Sequence, residues 1–458
     1  MLKRTRSFLV LVMLLMTVTM SAQVTTATMS GKVTAQDEPI IGATIVAIHE
    51  PSGTRYGTVT NVSGQFNLQG MRTGGPYKVE ISYVGYQTAI YKGINLLLGE
   101  NYVLNVSLKE SSELLDEVVV TASKESNMKS DRAGAIMNAN RDMISNTPTI
   151  SRSISDIMRL SPQGADVGNG FAVGGGNYRQ SFVTVDGAAF NNTFGLGGNL
   201  PANGSPISLD ALEQVTVAVT PFDVRQSGFT GGAINAVTRS GDNQFRGTAY
   251  MYFNNENLKG SKVDDYELLR SKAQYYTYGA SFGGPIIKDK LFFFVNGEYE
   301  DNVTAGSNYR PRTALGESYS GGNIHRPLQS DMDDMRGFLL NKYNFDPGKY
   351  NDYSTDTPAY RVMARVDWNA NQNNKVSFRF TKTHTKDSNF PTSSVSPLST
   401  SALYPGGTST EVIDGKPVGT IAPGQGRTSK YALSFSNSNY YQVRDFTSVA
   451  GEWNSRMA

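Results

Sequence analysis

From residue 244 onward the chain alternates apolar and polar side chains in runs of about ten residues, and the connections between runs are alternately short and long. FRGTAYMYFN (245–254) puts Phe245, Ala249, Met251 and Phe253 on one face. QYYTYGASFGG (274–284) and KLFFFVNGEYE (290–300) flank a tight turn at Ile287-Lys288-Asp289, and YRVMARVDW (360–368) and KVSFRFTKT (375–383) flank another at 369–374. Long polar stretches, 255–272, 302–358 and 387–427, lie between these hairpins. Few folds tolerate that rhythm. A transmembrane β-barrel does, with short turns on the periplasmic side and long loops outside, whereas long structureless loops count against a compact soluble domain. Only one face of each strand need be apolar in such a wall. The modest hydrophobic fraction of 39%, with 24 Tyr, 21 Phe and 46 Gly, fits that economy.

The other end of the chain gives an address. Lys3, Arg4 and Arg6 precede an apolar run from Phe8 to Met20, followed by Ser21-Ala22-Gln23. This is the pattern of a secretory signal peptide over 1–22. The run is shorter than the ~20 residues a spanning helix needs, so an uncleaved anchor is the lesser alternative. The chain has no cysteine, which removes both disulfides and a lipidated N-terminal cysteine. A net charge of +2 gives no reason to expect a nucleic-acid partner. The expected destination is the outer membrane of a Gram-negative cell.

Residues 28–109 form a separate unit. Short alternating runs (SGKVT, GATIVAIH, GTVTNVSGQFNLQG, YKVEISYVGY, YVLNVSLK) recur between turn signals, as in a small antiparallel sandwich. Tyr77, Val79, Ile81 and Tyr83 alternate with Lys78, Glu80 and Ser82, one buried face and one wet face. Gly31, Gly42, Ala43, Gly57, Thr58, Gly64, Phe66, Gly85 and Tyr86 stand in an order that resembles the carboxypeptidase regulatory-like, transthyretin-type sandwich. The resemblance implies a fold and no activity. A metallocarboxypeptidase would need clustered histidine and acidic ligands. The three histidines, His49, His325 and His384, are far apart and read as surface or loop residues. No enzyme, metal or cofactor is expected.

Residues 130–240 hold a third unit. SISDIMRL (153–160) reads as a short amphipathic helix capped by Ser153 or Ser155. Leu160-Ser161-Pro162-Gln163-Gly164, Val185-Asp186-Gly187 and Gly231-Gly232-Ala233-Ile234-Asn235-Ala236-Val237-Thr238 follow in order. This collinear set resembles the plug domain of TonB-dependent outer-membrane transporters. Two departures mark a divergent branch: a glutamine splits the family's proline-glycine, and Thr220-Pro221-Phe222 replaces its Arg-Gly-Pro. Gly283-Gly284-Pro285 and Lys290 to Phe294 likewise resemble the second and third barrel strands of these transporters.

Between sandwich and plug, 113–124 reads ELLDEVVVTASK, a β-branched run with no evident strand beside it. The resemblance places the Ton box here, on Asp116, Glu117, Val118, Val119, Val120, Thr121 and Ala122. An extended segment of this kind binds by adding to the edge of a partner's sheet, and the partner the resemblance implies is the periplasmic C-terminal domain of TonB. The competing reading is a last strand of the sandwich or a first strand of the plug.

The fold class expected is mainly β: a transthyretin-like sandwich, an α/β plug, then the first six or seven strands of an incomplete transmembrane barrel over 244–458. The family closes its barrel at about 22 strands, so the chain reads as an N-terminal fragment or a truncated gene product. Substrate contacts are expected from outward plug loops, on Asn169, Phe171, Phe190, Asn191, Asn192 and Phe194. The order of modules is similar to the SusC-like and Oar-like branches, and GGGNYRQS with TPFDVRQSGFTGGAINAVTRSG leans to the Oar-like side. The implied partners are TonB, outer-membrane lipid, a surface lipoprotein lid in the SusC-like case, and an external glycan, peptide or chelate. Energised import of a large nutrient is the function expected; a structural or adhesive barrel is the alternative. Other motifs carry little. Ser126-Asn127-Met128-Lys129 lacks the companion motifs of penicillin-recognising enzymes, the Gly168 and Gly174 runs lack a dinucleotide-loop context, and Asp331, Asp333 and Asp334 read as a solvated acidic turn rather than a calcium loop.

Overall fold

The computed structural model describes residues 24–110, 118–121, 136–149, 152–167, 170–192, 200, 205–219, 231–258, 260, 262–263, 266–267, 272–307, 309–319, 323–390, 412–413, 416–417 and 432–455. The signal peptide, and Asp116, Glu117, Ala122, Asn169 and Phe194 of the expected sites, lie outside the described residues.

The first unit is a two-sheet sandwich. In one sheet β1 (Ala27–Ala35) pairs antiparallel with β4 (Gln65–Met71), while Asn101–Val103 and Val106–Ser107 run parallel to β1. In the other, β2 (Thr44–His49) lies between β3 (Thr54–Val59) and β5 (Gly74–Ser82), and β6 (Ala89–Leu96) follows β5. Period-two alternation sends Tyr77, Val79 and Ile81 into the core with Met29, Ile45 and Phe66. Lys78 and Glu80, on the opposite face, form an ion pair at 2.7 Å. Within the first sheet, β1 and the neighbouring segment approach closely at Gly31, where an added Cβ would lie 1.8 Å from the Leu104 carbonyl oxygen. His49 is buried in this sandwich, hydrogen bonded to Ser52 at 2.7 Å and set edge-on to Tyr77. His325 is buried as well, which corrects the surface-or-loop reading of these two; His384 lies within a long strand rather than a loop and stays half-exposed beside Asp445. Alternation places a histidine on the inner face as readily as a leucine when a hydroxyl partner is at hand.

A second correction concerns the linker. Val118–Thr121 forms β7, which pairs in parallel with β6 in the register Val118↔Ala89 to Thr121↔Lys92. The run that had no evident neighbour is the edge strand of the sandwich sheet, ordered β7-β6-β5-β2-β3.

The plug is built on a five-stranded sheet. β8 (Ile136–Asn140), β10 (Leu212–Ala218), β11 (Ala233–Thr238), β9 (Phe182–Val185) and the two-residue strand Ala188–Ala189 lie in that spatial order. Asp186 and Gly187 both take positive φ, 49° and 80°, between Val185 and its partner Ala188. That is the two-residue turn for which Asp-Gly is suited. Helices α1 (Arg141–Asn146) and α2 (Ile154–Met158) cover the sheet. Ser153 caps α2 in a reciprocal box with Asp156, deciding between the two serines.

Six long strands then form one antiparallel meander: β12 (Arg246–Asn255), β13 (Ala273–Ile287), β14 (Leu291–Ala305), β15 (Ala359–Asn369), β16 (Asn374–Asn389) and β17 (Tyr440–Ser455). Among the described residues β12 and β17 are its free edges. Several strands outrun the segments read from sequence, because an antiparallel partner continues the ladder into polar residues: β16 stays paired to β17 as far as Asn389. The outward face exposes Phe282, Val295, Val362, Phe378 and Val449. Trp368 and Trp453 mark the short-turn end, and Tyr278, Tyr299 and Tyr360 the far end, as the two aromatic girdles of a barrel wall do. The long connection before β15 holds helix α3 (Gln329–Tyr343), so the acidic residues Asp331, Asp333 and Asp334 lie on a helix and not in a turn. Met332 is its one buried residue, which is why no amphipathic period announced it.

Candidate functional site

The inward faces of the barrel strands meet the plug through three charged centres. Asp210, in the turn before β10, takes Arg141 Nη2 at 2.9 Å, Arg239 Nη1 at 3.6 Å and the Thr248 hydroxyl at 2.6 Å. Burial alone would raise the carboxyl's pKa. Hydrogen bonds from Ser281, Thr248 and Arg141 outweigh burial and hold it below the usual carboxylate range. Arg239 also lies over the Phe294 ring, 4.9 Å from its centre.

The second centre is Asp186, at the Asp-Gly turn. Its carboxylate accepts Thr238 N–H at 3.0 Å and Thr238 O–H at 2.6 Å, and it faces Arg365 and Arg379 of the wall at 3.6 and 3.7 Å. Arg365 is shared with Asp367 at 2.9 Å and Arg379 with Glu452 at 2.6 Å. At the third, Arg361 pairs with Glu298 at 3.0 Å and Glu300 at 2.9 Å and donates to the Ser205 carbonyl. Glu298 in turn accepts Ser208 O–H at 2.9 Å and Tyr250 O–H at 2.5 Å. Charges buried this deeply persist only when paired, so each centre specifies one seating of the plug.

Apolar contacts close the gaps. Phe294, Met363 and Phe446 of the wall join the plug core, and Phe190 sits 4.4 Å from Phe446, ring to ring. Arg152, at φ 50°, inserts between Tyr250 and Tyr252, 4.4 and 4.3 Å from their ring centres. A non-glycine residue held in the left-handed region marks a place where the surroundings over-determine the backbone.

The sandwich docks against the short-turn end of the barrel and the same face of the plug. Asn243 N–H donates to the Pro51 carbonyl at 3.0 Å, Arg72 to the Gly241 carbonyl at 3.2 Å, and Asn369 to the Thr54 hydroxyl at 2.9 Å. Leu98 N–H donates to Gln214 Oε1 at 2.7 Å, and Val24, Leu98 and Val237 share a small apolar core. Lys375 Nζ lies 3.1 Å from the Tyr56 ring centre. All of this is on the periplasmic side of the wall.

The expected substrate residues fare differently. Phe171 and Phe190 are 3% and 1% exposed and belong to the plug core, so neither offers an outward surface. Asn191 accepts Val183 N–H at 2.7 Å and donates to the Ser181 carbonyl at 2.8 Å, which bonds it into the loop. Asn192 is half-buried beside it. The charged centres were missed. Their signal is present in the strands: Glu298 and Glu300, then Arg361, Arg365 and Asp367, then Arg379, fall on the face opposite the lipid-facing residues of each strand.

A plug seated against a strand wall, with a sandwich at the short-turn end, is the architecture of a plugged outer-membrane barrel. Residues 28–109 match the carboxypeptidase regulatory-like domain, and residues 237–416 match an outer membrane beta barrel domain. The TonB-dependent transporter Oar of Myxococcus xanthus is 27% identical over 256 residues, covering 54% of this chain and 22% of the relative. The TonB-dependent receptor SusC of Bacteroides thetaiotaomicron is 29% identical over 269 residues, covering 56% and 24%. Among solved structures, the siderophore receptor PirA from Acinetobacter baumannii superposes on 55% of this chain and 31% of its own, with a TM-score of 0.36 at 17% identity. The outer membrane transporter YddB from Escherichia coli covers 57% and 34%, with a TM-score of 0.40 at 12% identity. The chain thus carries a carboxypeptidase regulatory-like domain and an outer membrane beta barrel domain and is similar to these TonB-dependent proteins, of whose length it covers less than a quarter.

Proposed function

We propose that the protein to which this chain belongs is an active importer of a large external nutrient, energised by TonB pairing with the Ton box Asp116–Ala122 and remodelling the plug. The observation that carries this reading is the position of the β-branched segment. It lies between a sandwich docked on the periplasmic side and a plug seated by buried ion pairs. A pull on that segment acts on the chain just ahead of β8, the first strand of the plug sheet. Asp210, Asp186 and the Glu298–Arg361 pair are the bonds such a pull has to disturb. The substrate is a glycan, peptide or chelate. Asn169, Asn192 and Phe194 are the plug residues proposed to meet it, with a lipoprotein lid added if the protein follows the SusC-like branch.

The test is binding of a Ser112–Lys129 peptide to the purified C-terminal domain of TonB. Native peptide binds, and Val119→Pro, which removes a strand N–H, abolishes binding. No binding of the native peptide at millimolar concentration would sink the Ton-box assignment and favour a structural or adhesive barrel.

A further inference from the structure

Resting on the Ton-box reading, we propose that the β6 edge of the sandwich parks the Ton-box strand, so that the receptor's own sandwich competes with TonB for Val118–Thr121. β6 would otherwise end its sheet with a row of unpaired N–H and C=O groups, which is the kind of edge that recruits an extended segment. β7 fills that edge in parallel over four register pairs, Val118↔Ala89, Val119↔Ile90, Val120↔Tyr91 and Thr121↔Lys92.

The chain is brought to the same place beforehand. Gln87 N–H donates to the Lys109 carbonyl at 2.9 Å, and Tyr86 forms an antiparallel bridge with Glu110. Tyr86 and Ala89 are neighbours on one edge, and only residues 111–117 separate Glu110 from Val118. A tether that short between adjacent points keeps the strand at a local concentration on the order of millimolar or above. Capture by β6 is therefore intramolecular, whereas capture by TonB is not.

The consequence is a lowered affinity. When only a fraction of molecules has the strand free, the apparent dissociation constant rises by the inverse of that fraction. A strand parked in nine molecules of ten weakens TonB binding by about tenfold relative to the free peptide. Undocking or loosening of the sandwich, which also touches plug and barrel, then becomes a way to release the strand.

The absence of native cysteine allows a direct test on the full chain. Parallel neighbours lie ~5 Å apart at Cα, within reach of a disulfide, and Lys92 is exposed. The variant carries Lys92→Cys with Thr121→Cys; Tyr91→Cys with Val120→Cys is the adjacent pair should the first not fold. The expected result is a disulfide in most molecules under mild oxidation, suppressed when TonB C-terminal domain is added first. Oxidised protein should bind TonB at least about tenfold more weakly than reduced protein, with reductant restoring binding. Crosslinking no greater than in the out-of-register pair Lys92→Cys with Ser126→Cys overturns the parked strand. Equal TonB binding before and after reduction overturns the competition. Failure of the Ser112–Lys129 peptide to bind TonB is a separate result: it removes the Ton-box reading while the crosslink still reports where the strand lies.

Discussion

Replacing Asp210 by Asn tests whether buried charge seats the plug. The substitution keeps the shape and an acceptor for the Thr248 hydroxyl, but it removes the anion between Arg141 and Arg239. Asp210 is held below the usual carboxylate range, so at neutral pH the change removes a full charge. Breaking a buried ion pair typically costs about 3–5 kcal/mol. Two features reduce that here. Arg141 is 28% exposed and keeps the carbonyls of Leu209, Asp210 and Leu212, while Arg239 keeps the Asp210 carbonyl at 3.2 Å. The expected loss is about 2 kcal/mol, or roughly 30-fold in the equilibrium for opening the plug. Amide hydrogen exchange of the purified chain at neutral pH reads that equilibrium directly. Amides of β10 and β11 should exchange roughly 30-fold faster, with those paired between β14 and β15 unchanged. Plug exchange within twofold of the parent would refute the role of charge in seating the plug. Equal acceleration in the barrel would show a general loss of stability instead.

Two further outcomes are expected. Arg361→Ala leaves Glu298 and Glu300 without their cation, at about 3–5 kcal/mol; the heat-modifiable band of folded barrel on a gel should fall sharply, and an undiminished band would count against the pairing. Burial first, and Arg72 second, push the His49 imidazole well below its usual 6.5, so the unfolded chain takes up a proton that the folded sandwich refuses. Sandwich stability is then complete above that pH and falls on acidification at about 1.4 kcal/mol per pH unit until the folded group itself titrates. Pulse proteolysis of the sandwich in urea across that range measures the slope; His49→Gln should flatten it, and an unaltered slope would assign it elsewhere.

Much of the architecture was legible because it is written in local patterns. Alternation with period two marked the barrel strands and predicted that Met251 and Phe253 share a face, and both are exposed on the wall. Ser153 and Ser155 signalled a helix start, and the structure chose Ser153, in a reciprocal box with Asp156. Val185-Asp186-Gly187 ended a strand in a turn whose positive φ values suit Asp and Gly. The same local reading failed wherever the deciding partner was distant. Phe171 and Phe190 looked like loop aromatics open to solvent, and the plug core took both. Val118–Thr121 looked unpartnered, since β6 lies some thirty residues back and pairs with it only after the sandwich has folded.

Sequence alone determined which segments extend, which faces of them are apolar, and in what order sandwich, linker, plug and wall occur. Those properties follow from backbone periodicity and turn chemistry, which a few neighbouring residues specify. Tertiary structure alone decided that Asp210 would hold Arg141 and Thr248, that Arg361 would lie between two glutamates, and that β7 would dock on β6. A carboxylate advertises only that it needs a cation or donors. Which groups answer depends on strand register and on how the sandwich, plug and wall come to rest against one another.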